Sequence, residues 1–283
     1  MTLLAPDAAR ATDLDRAELL VHAFDPISLD ELIERASLQT RVDRKYVVPT
    51  RDLAAVLGEL DDSTRVLEME EVRDFRYESV YFDTPGLDSF WMAAHGRRRR
   101  FKMRTRAYVD SATAFFEVKT RGARSATVKD RLEYAFSDRE SLTDAGLDYA
   151  ADTLDAAGIA LDLDGLSATL VTRYRRTTLF VPGLDESRAT IDTHLEWATA
   201  GASLETPHVV VVETKSGSRP SRVDRVLWSH GHRPDTISKY GTGLAALDPR
   251  LRANKWARTL RRHFDAPLDP RVDTHPDPTL PLT

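Results

Sequence analysis

Between Lys102 and Arg121 the chain alternates charge with bulk in a way that could hold phosphate. Lys102, Arg104 and Arg106 fall at every second position, with Phe101, Met103 and Thr105 between and beside them. Beyond a polar turn near Asp110 and Ser111, Glu117, Lys119 and Arg121 repeat the pattern against Phe116, Val118 and Thr120. A β-strand sends successive side chains to opposite faces, so each half of this hairpin presents a charged stripe. Two unit charges about 4 Å apart interact by roughly 4 kcal/mol at the effective dielectric of a protein surface. A dense row of cations is therefore unfavourable unless water or a polyanion answers it. Arginine offers phosphate a planar fork of donors, and lysine a compact charge.

The same period-two placement recurs at Arg41, Asp43 and Lys45, at Arg131 and Glu133, at Arg176, at Arg188 and Asp192, and at Glu213 and Lys215. A polar face turned to water accounts for any one of these strands alone. Cations with a few carboxylates on nearly every strand point instead to a shared lumen for a chain of phosphates. The carboxylates would repel phosphate unless a divalent ion lay between, and Mg²⁺ or Mn²⁺ accepts such oxygen ligands while leaving positions for substrate.

The elements that must position these residues read as about eight strands with helices between and after them. Strands are expected over 39–48, 71–82, the hairpin, 129–136, 169–180, 188–192 and 208–215. Helices are expected after the capping boxes Ser28–Glu31 and Ser137–Glu140, after Pro49 and Thr50, after Ser221, and over 249–264. Asp83-Thr-Pro-Gly86 reads as a turn that ends a strand, and Ser238-Lys-Tyr-Gly241 as a loop. One α+β domain on an antiparallel sheet follows, and closure into a barrel would remove its edges. We expect a lead-in over 1–23, the domain over 24–264, and a disordered Pro-rich tail over 265–283.

Composition bounds the function. With 283 residues the chain can bury a sizeable core, and a net charge of −5 means that its cations act by position rather than by bulk charge. The sequence contains no cysteine, which excludes disulfides, thiolate metal sites and cysteine nucleophiles. The eight histidines show no metal spacing, and Gly241-Thr-Gly243 lacks the lysine of a P-loop. No signal-peptide pattern and no apolar run of membrane-spanning length occurs, so the expected location is cytoplasmic. Arg97–Arg100 reads as a solvated rim, with too few interleaved aromatics for nucleic acid.

The segments Arg41-x-Asp-x-Lys-Tyr46, Tyr81-Phe-Asp-Thr84, Lys102-x-Arg-x-Arg-x-x-Tyr108, Glu117-x-Lys119, Tyr174-x-Arg176, Arg188-x-x-x-Asp192, Glu213-x-Lys215 and Ser238-Lys-Tyr240 resemble, in order, the polyphosphate polymerase domain of the vacuolar transporter chaperone (VTC) complex. That domain is one of the triphosphate tunnel metalloenzymes. The resemblance implies an eight-stranded antiparallel β-barrel, a tunnel with flanking helices, and Mn²⁺-dependent transfer of the ATP γ-phosphate to a growing polyphosphate chain. It also implies phosphate-binding roles for Lys45, Arg104, Arg106, Lys119, Arg176, Arg188 and Lys239. Arg41, Lys102, Arg131 and Lys215 would bind substrate alongside them. Glu213 looks like the metal ligand, with Glu117 and Asp43 as further candidates for Mn²⁺ or Mg²⁺. CYTH-class relatives open with Glu-x-Glu-x-Lys, whereas this chain has Arg41 and Asp43, which favours the VTC-like branch. ATP and inorganic polyphosphate are the expected partners, with no nucleic acid, and any coupling to transport would fall to a separate membrane protein. A triphosphatase or polyphosphatase on the same tunnel, and a non-catalytic polyphosphate or nucleotide binder, are the alternatives.

Overall fold

The fold is described here from a computed structural model, which covers residues 6–35, 42–121, 127–183, 186–251 and 254–264. Arg41 and the expected tail over 265–283 lie outside the described residues. The chain opens with α1 (Pro6–Ala23), β1 (Asp25–Ile27), α2 (Leu29–Arg35), β2 (Val42–Pro49), α3 (Thr50–Gly58) and β3 (Arg65–Leu67). Then come β4 (Asp74–Asp83), α4 (Asp88–Ala94), β5 (Arg100–Tyr108), β6 (Thr113–Arg121), β7 (Thr127–Tyr134), α5 (Asp144–Ala156), β8 (Ser167–Val181) and β9 (Ser187–Ala198). β10 (Ser203–Glu205), β11 (Val209–Ser216), α6 (Arg222–Ser229), α7 (Lys239–Leu247) and α8 (Ala257–His263) complete it.

Eight strands pair antiparallel in the order β2-β11-β9-β8-β4-β5-β6-β7, with β1, β3 and β10 as short additions off that path. The end strands β2 and β7 share no ladder among the described residues. The path is nevertheless rolled up. Laid flat, β2 and β6 would stand roughly 30 Å apart at the usual strand spacing of about 4.8 Å, yet Lys45 on β2 acts electrostatically on Lys119 of β6. The fold is thus the expected α+β antiparallel sheet with flanking helices, curled in the manner of a tunnel.

The two faces of this sheet are used unusually. Over much of the sheet the outer face is apolar and lies under helices: Tyr46, Val48, Val210, Val212 and Ile191 pack against Leu53, Val56 and Leu57 of α3 and Val226 of α6. On the far side, Phe101, Met103, Phe116 and Val118 pack against Ala150 and Leu154 of α5. The stripes of Lys45, Lys102, Arg104, Arg176 and Glu213 are therefore left to the inner face, while the outer face of β4 and β8 carries its own ion pairs, Glu78 with Arg139 and Arg173, and Asp74 with Arg175. Toward one end that inner face turns apolar, where Val47, Leu170, Trp197, Val209 and Val211 meet Tyr240, Leu244 and Ala245 of α7. Each large apolar side chain fully buried there contributes about 2 kcal/mol, which seats α7 as a plug. Gly241 and Gly243 let it sit: a Cβ on either would collide with the rings of Trp256 and Trp197 respectively.

Several expectations shift. Ser238-Lys-Tyr-Gly241 is not a loop but the start of α7, with the Ser238 hydroxyl accepting from the Gly241 N–H. Ser137–Glu140 does not cap a helix: a 3₁₀ turn occupies Phe136–Asp138, and α5 starts later under a Thr143 cap. Residues 249–264 are not one helix, because a 3₁₀ turn at Pro249–Leu251 precedes α8. β4 begins at Asp74 rather than Glu71, since Glu70 and Glu71 take left-handed φ of 51° and 65° in the turn before it. Ser221 and Asp224 form the full capping box of α6. Among the described residues no helix is long and apolar enough to cross a membrane.

Candidate functional site

The period-two stripes converge inside the curl, and the strand registers fix which charges meet. On β5 and β6, Arg104 lies opposite Glu117, Lys102 opposite Lys119, and Arg100 opposite Arg121. Arg104 Nε donates to Glu117 Oε2 at 2.8 Å and Arg104 Nη1 to the Tyr81 hydroxyl at 3.1 Å. Arg106 stands 3.8 Å from the same carboxylate, and its Nε is buried with no hydrogen-bond partner among the described residues. Burial opposes the charge on Arg104, but Tyr81 and Glu117 outweigh it and raise the guanidinium above its ordinary value.

Across the lumen, β11 sets Glu213 opposite Lys45 of β2. Lys45 Nζ donates to Glu213 Oε2 at 3.0 Å, and Lys215 Nζ lies 3.3 Å from Oε1. Burial pushes the Glu213 carboxyl up, yet Lys45, Lys215 and Arg176 together hold it far below the usual carboxylate range. One strand over, Arg176 of β8 grips Asp192 of β9 bidentately, Nε to Oδ1 at 2.6 Å and Nη2 to Oδ2 at 2.8 Å. Lys239, the first residue of α7, donates to Asp192 Oδ2 as well. Burial raises Asp192, and the two cations overcome it to leave the carboxyl at about 2. Tyr174 beside them is lowered from its ordinary value, because Arg176, Arg106 and Lys239 outweigh its burial.

Lys102 and Lys119 are matched by no carboxylate in this way. Lys102 Nζ donates to the Ser238 hydroxyl at 3.2 Å, and neither lysine forms a salt bridge among the described residues. Burial, then Arg104, Lys119 and Lys45, drive the Lys102 ammonium well below its ordinary value. Burial and Lys45 lower Lys119 likewise, with Asp43 opposing. Lys119 is accessible to water while walled by protein, as a group lining an open lumen should be. At the same end, the buried Nε of Arg121 has no hydrogen-bond partner among the described residues.

The fold thus gathers Lys45, Arg104, Arg106, Lys119, Arg176, Lys239, Lys102, Lys215, Glu213 and Glu117 around one space. Arg188, opposite Lys215 in the register, is half-buried on the same inner parity. Asp43 is exposed at the start of β2, and Arg131 is exposed on β7 with its guanidinium 4.7 Å from the Phe115 ring centroid. Arg41 lies outside the described residues. Sequence reasoning gave no role to Asp192, although its place on the Arg188 stripe marked it as inward-facing. It named Tyr81 and Tyr174 only as parts of its motif segments and did not name Tyr77, although all three share parity with their charged neighbours across the ladders.

Among the described residues no three carboxylates or histidines stand close enough to form an all-protein metal cage. Glu213 faces the lumen with Lys45 on Oε2 and Lys215 near Oε1, so a divalent ion completed by phosphate oxygens would displace one of these lysines toward the substrate.

A family model described as the VTC domain matches residues 40–248. No curated protein matches the chain. Among solved structures, a Hippeastrum protein described as an adenylyl cyclase with a dominant triphosphatase activity is 14% identical over 76% of this chain and 100% of its own, with a TM-score of 0.46. A protein from Pyrococcus horikoshii OT3 is 12% identical over 68% of this chain and 88% of its own, at 0.34. A conserved hypothetical protein from Pyrococcus furiosus is 13% identical over 76% of this chain and 98% of its own, at 0.33.

Proposed function

This chain belongs to the VTC domain family, and from that membership we propose that it is a polyphosphate polymerase, moving the γ-phosphate of ATP onto a growing polyphosphate chain inside the lumen. The observation that carries this reading is the Lys102–Lys119 pair, two cross-strand ammonium groups depressed by burial and by surrounding cations. A polyanion is the ligand that would relieve both costs together.

In the reaction, a terminal oxygen of the polyphosphate chain forms a bond to Pγ. The bond from Pγ to the β,γ-bridging oxygen breaks, and ADP leaves with its electron pair. Such a transfer needs positioning and charge stabilisation rather than a protein nucleophile. The forks of Arg104, Arg106, Arg176 and Arg188 would hold non-bridging oxygens, with Lys45, Lys119 and Lys239 as point charges between them. Arg41, Lys102, Arg131 and Lys215 would line the substrate's path. Mn²⁺ or Mg²⁺, held by Glu213 with phosphate oxygens and with Glu117 and Asp43 as further candidates, would supply Lewis-acid neutralisation of developing charge. The unit that carries this activity spans residues 24–264 in our reading, and any passage of product across a membrane would fall to a separate membrane protein.

Purified protein given ATP with Mn²⁺ or Mg²⁺ is expected to release ADP and to produce internal-phosphate signals by phosphorus NMR. Orthophosphate without internal signals would reassign the lumen to a triphosphatase or polyphosphatase. Binding with neither product would leave a non-catalytic polyphosphate binder.

A further inference from the structure

Three tyrosines form one row across adjacent strands, with Tyr174 at its α7 end, the ring centroid 4.3 Å from Lys239 Nζ. Tyr77 of β4 is the direct cross-strand partner of Tyr108 on β5 and of Tyr174 on β8. The Tyr77 ring centroid lies 5.0 Å from that of Tyr108 and 5.3 Å from that of Tyr174. Phe115 of β6 meets Tyr108 edge-on at 6.1 Å, and its own face carries the Arg131 guanidinium at 4.7 Å.

These rings differ from the core aromatics of the same chain. Trp197 and Phe116 are 0% exposed, Tyr81 is 1% and Tyr174 of the row itself 3% exposed, whereas Tyr77, Tyr108 and Phe115 are only half-buried. An open aromatic ledge leaves part of its stacking area unused, a cost that packing elsewhere in this fold avoids. The ledge also adjoins the cations directly. Arg106 is the next inward residue on β5, and the Arg106 and Arg176 guanidiniums lie 5.9 Å and 5.1 Å from the Tyr77 centroid.

Resting on the reading of the lumen as a triphosphate site, we propose that this ledge takes the base of a nucleoside triphosphate, with the phosphate tail pointing inward along β5. Tyr108 and Arg104 are four positions apart, about 13 Å at the usual strand rise, comparable with the reach from a nucleobase to the γ-phosphate of an extended nucleotide. The arrangement gives the lumen a direction, base at Tyr108 and terminal phosphate toward Lys102 and Lys119. Stacking reads the flat face that all bases share, so the ledge selects nucleotides over inorganic triphosphate without selecting one base.

Calorimetry in metal-free buffer, where nothing turns over, tests this with ATP, GTP, UTP and inorganic tripolyphosphate. Phe115→Leu and Tyr108→Leu keep an apolar side chain in place of each ring. Each is expected to lower the ratio of ATP affinity to tripolyphosphate affinity by roughly tenfold, with GTP and UTP following ATP. An unmoved ratio in both variants, or in the one that folds if the other does not, overturns the ledge and leaves the lumen reading standing. Failure of the wild type to bind any of the four ligands sinks the lumen reading, and the ledge falls with it.

Discussion

Two walls of one lumen meet the cost of enclosed cations in opposite ways. On the β8–β9–β11–β2 wall each carboxylate is clasped by two cations, Asp192 by Arg176 and Lys239, and Glu213 by Lys45 and Lys215. On the β5–β6 wall, away from Glu117, like faces like: Arg100 stands opposite Arg121 and Lys102 opposite Lys119. The first wall has its charges paired before any ligand arrives, so its ion pairs also contribute to the stability of the curled sheet. The second carries repulsion that folding alone does not answer, so its charges belong to whatever anion arrives. A buried pair is costly to break from one side, whereas removing one of two repelling cations relieves strain.

The largest expected effect is on the matched wall. Asp192→Ala leaves Arg176 and Lys239 enclosed without a counter-charge and should lower unfolding stability by about 3–5 kcal/mol, read by denaturant titration. A loss no larger than that of a surface substitution would erase the distinction between the walls. Next come Lys102→Met and Lys119→Met on the unmatched wall. Each is expected to cost roughly a hundredfold or more in kcat/KM while Tm stays level or rises. If Tm falls steeply with activity, these lysines are structural and the comparison is inverted.

The smallest effect separates the walls by pH. Asp192 has its folded pKa depressed to about 2, and Glu213 is depressed further by its cations. Their stabilisation is full above the unfolded carboxylate range and is lost as pH falls through the folded values; Asp192 accounts for about 2 kcal/mol of it. Lys102 and Lys119 are depressed bases, so the folded state releases their protons before the unfolded chain does. Stability should therefore rise as pH climbs toward the ordinary lysine range. Bound tripolyphosphate restores those protons and should flatten the alkaline rise while leaving the acid limb in place. Melting curves across pH, with and without tripolyphosphate, read both limbs.

Much of this was legible in the residues. The stripes of Lys102, Arg104 and Arg106 and of Glu117 and Lys119 were visible because strand periodicity is local and a charge at every second position has few other readings. The Ser221 cap was legible for the same reason, since its partner Asp224 lies three residues on. Ser238 misled because a short polar stretch with glycine signals a turn. Its helical start depends on Trp197 and Trp256, whose rings accept only glycine at positions 241 and 243. The clasp on Asp192 was hidden because Lys239 reaches it from 47 residues away.

By itself, then, the sequence determined that charged and apolar side chains would part to opposite faces of antiparallel strands, and that the charged faces would be rich in phosphate-binding groups. Tertiary structure decided that the phosphate-binding stripes turn inward while helices cover the apolar stretches of the exterior. It also decided which cations are paired with carboxylates and which face only other cations. The reason is physical: periodicity acts between neighbours in the chain, whereas charge pairing such as Lys45 with Glu213, 168 residues apart, exists only once the sheet has curled.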